Sequence, residues 1–128
     1  MSEQHKQLVK EYAEALRTQG KTREVNDRYI SDQDLELKKH IEVFEAAFPQ
    51  YELHPLDLIA EGDKVVLRFR FAGTHNGEFT GVPPTGNDIE TDGIIIYQLQ
   101  NNKIINHWMQ VDAVGLMQQL QNEKAAVL

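Results

Sequence analysis

The feature that most limits what this chain can fold into is a change of hydrophobic period at Pro49. Before it, apolar residues recur at helical spacing; after it, they alternate. Leu8, Val9, Tyr12, Ala13 and Leu16 mark a first helix that Gly20 stops, and Thr22–Tyr29 reads as a short second helix with Val25 and Tyr29 on one side. Ser31-Asp32-Gln33-Asp34 is a helix start, because its hydroxyl and carboxylates can accept from free N–H groups at the positive end of the dipole. Leu37, Ile41, Phe44 and Phe48 form one stripe of the third helix, which Pro49 ends.

From there the period is two. Tyr51–Glu61 reads as a strand that Pro55 marks as an edge or a bulge, and Glu61-Gly62-Asp63-Lys64 as a turn. Val65, Leu67, Phe69 and Phe71 alternate with Val66, Arg68 and Arg70, as a half-buried strand requires. Gly73–Gly86, with four glycines and Pro83-Pro84, reads largely as a long loop of the kind that often serves function. Strand pattern resumes at Ile89–Leu99 and, after a turn at Gln100–Lys103, at Ile104–Val111; Ala113, Leu116, Met117 and Leu120 outline a terminal helix. Helices followed by a meander of antiparallel strands predict an α+β fold, with the sheet curled around the long helix into a cone that encloses a pocket. Ile94-Ile95-Ile96-Tyr97 is apolar on both faces. Either a curved sheet covers both, or a second copy covers the outer one, which predicts a homodimer.

The 128 residues make one domain, 1–128, large enough to bury about two thirds of its unfolded surface without a metal or disulfide staple. A formal charge of −7 disfavours nucleic acid and anionic membranes as partners. The absence of cysteine excludes disulfides, thiolate catalysis and zinc–thiolate sites. No apolar run approaches a membrane span, and MSEQHKQLVKEY lacks the apolar core of a secretory signal, so a cytoplasmic protein is expected. His75 and Glu78 are only two candidate metal ligands, and neither phosphate-binding glycine loops nor a Gly-x-Ser-x-Gly elbow is present. The expectation is therefore no metal and no cofactor.

Several linked segments resemble the SnoaL-like polyketide cyclase family, within the nuclear-transport-factor-2-like superfamily. They are Phe48-Pro49, Glu61-Gly62-Asp63, Gly73-Thr74-His75-Asn76-Gly77-Glu78-Phe79, Gly81-Val82-Pro83-Pro84-Thr85-Gly86, Lys103-Ile104-Ile105-Asn106-His107-Trp108-Met109-Gln110-Val111-Asp112 and Gly115-Leu116-Met117-Gln118-Gln119-Leu120. The resemblance implies a cone-shaped α+β barrel, usually dimeric, with an internal pocket for a small hydrophobic ligand. It further implies an aspartate that acts as acid–base in an intramolecular aldol closure without metal or cofactor, and the matching position is Asp112. One departure from the family pattern is that Tyr29-Ile30 runs almost directly into Ser31, which implies a smaller or more open pocket. The superfamily hosts isomerases, dehydratases, hydrolases and plain binding modules, so a non-catalytic binding or dimerisation module is the alternative.

Each candidate has two readings. An aldol closure needs a base near an acidic C–H and a donor near the forming enolate, tasks for a desolvated carboxylate and for an imidazole, indole or phenol. Asp112 is such a carboxylate or the N-cap of the last helix. In a regular strand Trp108, Gln110 and Asp112 share one face and His107, Met109 and Val111 the other, so His107 and Asp112 meet in one cavity only across a bulge. Trp108 is a pocket wall or a core or interface residue, and His107 a catalytic partner or a hydrogen-bonded structural histidine. Asp92 and Gln98 line the pocket if their face is concave; otherwise Asp92 sits in solvent. His75 and Glu78 contact ligand or brace the glycine loop. Arg68 and Arg70 point outward, and either form a solvated face or pair with acidic neighbours. Tyr12 and Tyr29 put hydroxyls into the cavity or belong to the core.

Overall fold

Three side-chain caps order the helical half. Thr22 Oγ1 accepts from Val25 N at 3.2 Å, Ser31 Oγ from Gln33 N at 3.1 Å and Asp34 Oδ1 from Leu37 N at 3.1 Å. The computed structural model describes residues 2–121; the outermost parts of the expected 1–128 domain, residue 1 and residues 122–128, lie outside the described residues. Helix α1 is Ser2–Gln19, α2 is Arg23–Tyr29, a single 3-10 turn is Asp32–Asp34 and α3 is Leu35–Ala47. The short connection after Tyr29 is used as structure. Ile30 is fully buried and bridges Ile104 in parallel, and Ser31 N donates to Ile104 O at 2.8 Å.

Strands β1 (Glu52–Glu61), β2 (Lys64–Thr74), β3 (Asp88–Gln100) and β4 (Lys103–Val111) form an antiparallel meander in the order β1-β2-β3-β4, and α4 (Ala113–Gln121) follows. The α+β class and the curved sheet are as expected, but the sheet is open, so the barrel is not closed. Pro55 marks both features read into it: β1 is an edge strand, and its register shifts between Pro55 and Asp57.

Alternation assigns the faces. Val65, Leu67, Phe69 and Phe71 of β2 and Ile89, Ile95, Tyr97 and Leu99 of β3 are buried against Val9, Tyr12, Leu16, Leu37 and Ile41 of the helices. The outer face carries ion pairs between cross-strand neighbours, Arg68 with Asp57 at 2.6 Å and Arg70 with Asp92 at 2.9 Å. Among the described residues no helix is long and apolar enough to cross a membrane.

The glycine loop docks on the C-terminus of α3, where Asn76 N and Gly77 N both donate to Ala47 O at 3.1 and 3.0 Å. A Cβ on Gly77 would lie 2.0 Å from Ala46 O, a backbone atom that cannot move without breaking the helix end. Gly77→Ala is therefore expected to destabilise the fold by about 2 kcal/mol or more. A urea midpoint equal to that of the wild type would contradict this.

Candidate active site

Between α3, α1 and the concave face lies an inner cavity of about 60 Å³, walled mainly by Leu37, Ile41, Phe44, Phe69, Ile95 and Val111. It is small for a ligand site, since such sites commonly hold about 300–1,000 Å³. It does not stand alone. An outer cleft of about 330 Å³ opens between α1, the residues after it and the start of β1, and Tyr12, Leu16, Tyr51, Leu53 and Tyr97 wall both spaces. An elongated molecule can thus place an apolar part inside and the remainder in the cleft.

A buried acid–histidine pair sits behind the cavity wall, and neither of its residues is among those that line the cavity. His107 Nδ1 lies 2.6 Å from Asp34 Oδ2, and the two side chains are 4% and 5% exposed. Because the other Asp34 oxygen accepts from Leu37 N, the carboxylate acts as an acceptor on both sides. A carboxylate in that role assigns the Nδ1 proton to His107, which donates it. His107 Nε2 lies 3.8 Å from Glu36 Oε1. His40, on the cavity-facing stripe of α3, sets its ring edge-on to His107 at 5.9 Å between centroids and also lines the inner cavity. Its Nδ1 is buried and has no hydrogen-bond partner among the described residues. Tyr97, directly opposite His107 in the sheet, joins this group to the cavity wall.

Tyr12, Tyr51 and Tyr97 are all buried where the two spaces meet. Burial pushes each phenol well above its ordinary pKa, and neighbouring groups add to it: Tyr97, Tyr51 and Asp34 at Tyr12, Glu45 and Tyr97 at Tyr51. Neutral phenols are hydrogen-bond donors, so this collar can meet a carbonyl or enolate oxygen.

Of the candidate site residues read from the sequence, Tyr12 lines the cavity, and His107 is turned to the same side without lining it. The face carrying Trp108 is convex, and Trp108 is 47% exposed there, so it does not wall the cavity. Asp92 and Gln98 share that outer face. Asp92 pairs with Arg70, which holds its carboxyl below the ordinary range, and Gln98 donates to Asp63 Oδ2 at 2.9 Å. Asp112 Oδ1 accepts from Gly115 N at 2.9 Å, capping α4, and Asp112 is not among the residues around the inner cavity. Thr80 Oγ1 of the glycine loop donates to Met117 Sδ of that helix at 3.8 Å.

A bulge exists, but not where a meeting of His107 and Asp112 needs it. Register shifts between Gln98 and Leu99, opposite Ile105, upstream of both residues. His75 is fully buried and braces its loop: Nδ1 accepts from Thr85 N at 3.2 Å, and its backbone pairs with Asn87 and Gly86. Glu78 Oε2 accepts from Gly81 N at 2.9 Å in the same loop. Among the described residues no cluster of three His, Asp or Glu is placed to hold a metal ion.

Asp34, His40, Tyr51 and Tyr97 escaped the sequence reading. His40 carried a usable signal, since it falls three residues after Leu37 and four before Phe44, a titratable group on an apolar stripe. Asp34 carried none beyond its capping role, because its partner lies 73 residues away.

An open, curved α+β sheet wrapped over helices around a central cavity defines the nuclear-transport-factor-2-like class. Within it, residues 7–120 match the SnoaL-like polyketide cyclase family, and the chain belongs to that family. Solved structures agree. AclR of Streptomyces galilaeus, a proposed hydroxylase, superposes with a TM-score of 0.81 at 25% identity over 94% of this chain and 97% of its own. A proposed polyketide cyclase from Acidithiobacillus ferrooxidans gives 0.75 at 26% identity over 91% and 93%. TsrD of Streptomyces laurentii gives 0.82 at 22% identity over 94% and 98% and supports the fold. No curated protein matches the sequence.

The raised phenol pKa values give a sign for alkaline stability. Unfolded tyrosine ionises near pH 10, whereas the buried phenols stay neutral there, so the unfolded state loses protons first and stability falls as pH rises past about 10. Tyrosinate absorbance should therefore climb together with loss of the far-ultraviolet circular dichroism. Full ionisation of all four tyrosines with the native spectrum intact would refute the burial argument.

Proposed function

We propose that this protein is a cofactor-free acid–base enzyme acting on a small hydrophobic carbonyl compound, by an aldol-type closure or an isomerisation. The observation that carries this reading is the buried Asp34–His107 pair set against His40 at the edge of an apolar cavity. His40, neutral, takes a proton from the carbon next to the substrate carbonyl. The resulting enolate oxygen receives a hydrogen bond from the phenol collar. In a closure the enolate carbon bonds to a second carbonyl carbon, and His40 returns its proton to the new alkoxide; in an isomerisation the proton returns to another carbon. His107, held by Asp34, is a positioning residue that fixes the His40 ring. The catalytic role expected of Asp112 passes to these groups, because its carboxylate is engaged by the backbone of α4.

A second reading, a carrier of small apolar molecules without chemistry, draws on the apolar walls of the inner cavity and on the capping role of Asp112. Proton exchange separates the two. Deuterium uptake from heavy water beside the carbonyl of simple aryl ketones should be accelerated by the wild type. His40→Gln should lower the rate by about 10²–10⁴-fold while ligand affinity is kept. His107→Gln should lower the rate constant more than the affinity. Exchange no faster than in buffer would leave the carrier.

We also infer a homodimer through the convex face. Ile59, Val66, Ile96 and Trp108 are paired neighbours in one row across all four strands, with Ile94 beside them, and Ile59, Ile94 and Trp108 are exposed. An apolar band of this kind, flanked by the Arg68–Asp57 and Arg70–Asp92 pairs, suits a self-complementary two-fold contact. The cysteine-free composition fits a cytoplasmic setting. Trp108→Glu should shift the sedimentation mass from dimer to monomer with unchanged circular dichroism. A wild type that sediments as a monomer would dispose of the contact.

A further inference from the structure

The outer cleft holds a charge that the proposed reaction does not use. Lys21, in the connection between α1 and α2, lines the cleft with a side chain only 8% exposed. Its ammonium lies 4.3 Å from the centre of the Tyr51 ring and 3.5 Å from Glu45 Oε1. An ammonium carries three N–H donors, and a buried one is ordinarily both paired and hydrogen-bonded. Lys21 has the loose pairing and no hydrogen bond among the described residues. Glu45 is drawn partly away from it: Glu45 Oε2 accepts from Gln50 N at 2.7 Å, and the buried Oε1, 3.5 Å from the ammonium, makes no hydrogen bond among the described residues. Arg17, the other cation of the cleft, is paired with Glu14, and His54 with Glu52.

We propose that the outer cleft is a subsite for a carboxylate or similar oxyanion on the ligand, recognised by the Lys21 ammonium. The proposal rests on the reading that the inner cavity takes the ligand's apolar body, and it narrows the substrate class to amphipathic acids. Tyr51 and Leu53 wall both spaces, so a molecule whose apolar end lies inside leaves its polar end next to Tyr51, where Lys21 is held. The cation–π contact keeps the ammonium over the ring while leaving its donors to the cleft. Attraction of anions by the molecule as a whole is not an alternative source of such a preference, because the chain carries a formal charge of −7 and its long-range field repels them.

Calorimetry with naphthoate and the uncharged, nearly isosteric naphthamide tests this without any turnover. The wild type should bind naphthoate about tenfold more tightly than naphthamide. Lys21→Met, which keeps an apolar stem on Tyr51, should abolish the difference and leave naphthamide binding unchanged. Glu45→Gln removes the competing carboxylate and should tighten naphthoate binding alone; it decides the matter if Lys21→Met does not fold. Equal affinities in the wild type, no binding of either compound, a preference that survives Lys21→Met, or no gain in Glu45→Gln would each overturn the subsite. Loss of proton exchange with the charge preference intact would instead overturn the catalytic reading and leave the subsite standing.

Discussion

The two halves of the chain are tied through one buried carboxylate. Asp34 accepts from the first turn of α3 with one oxygen and from His107 of β4 with the other. The first bond helps set where the long helix begins; the second draws that beginning against the concave end of the last strand. The backbone connection before it acts in the same sense, since Ile30 bridges Ile104 beside the same strand. A buried charge is costly unless its acceptor sites are used. The arrangement therefore specifies one docking of helix on sheet, and in doing so it places His40 against His107.

Around that anchor, the character of each wall follows from strand parity. The bulge opposite Ile105 resets β4 so that Ile104 and His107 both face inward, after which Met109 and Val111 continue the concave side. Trp108 is thereby turned out, into a row with Ile96, Val66 and Ile59. One extra residue in one strand thus decides that the histidine faces the helices and the tryptophan the surface.

Family membership alone does not supply a reaction, because this fold carries several chemistries and some members with none. The chain itself presents a sequence of environments along its paired spaces: an apolar inner wall, a histidine pair braced by a carboxylate, a collar of neutral phenols, and an outer cleft with a confined cation. The small inner volume gives the outer cleft its importance, since an apolar group alone nearly fills the inner space. The short Tyr29–Ser31 connection, expected to alter the pocket, is taken up by the Ile30 bridge to β4.

The sequence by itself determined the elements and much of their ordering. The stripe through Leu37, Ile41 and Phe44, the alternation through Val65 and Phe71, and the disruption at Pro55 are local patterns that local physics reads directly. The cap at Asp112 was legible as one of two uses of that carboxylate, and the bracing of the glycine loop by His75 and Glu78 was legible as one of two uses of theirs. Which side of the sheet is concave was not legible, because β3 and β4 carry large apolar residues on both: Ile95, Tyr97 and Met109 on one face, Ile94, Ile96 and Trp108 on the other. Only tertiary structure decided that. The helices cover one face alone, and the meeting of Asp34 with His107 and of Lys21 with Tyr51 depends on chain closure over long separations, which leaves no periodic trace in sequence.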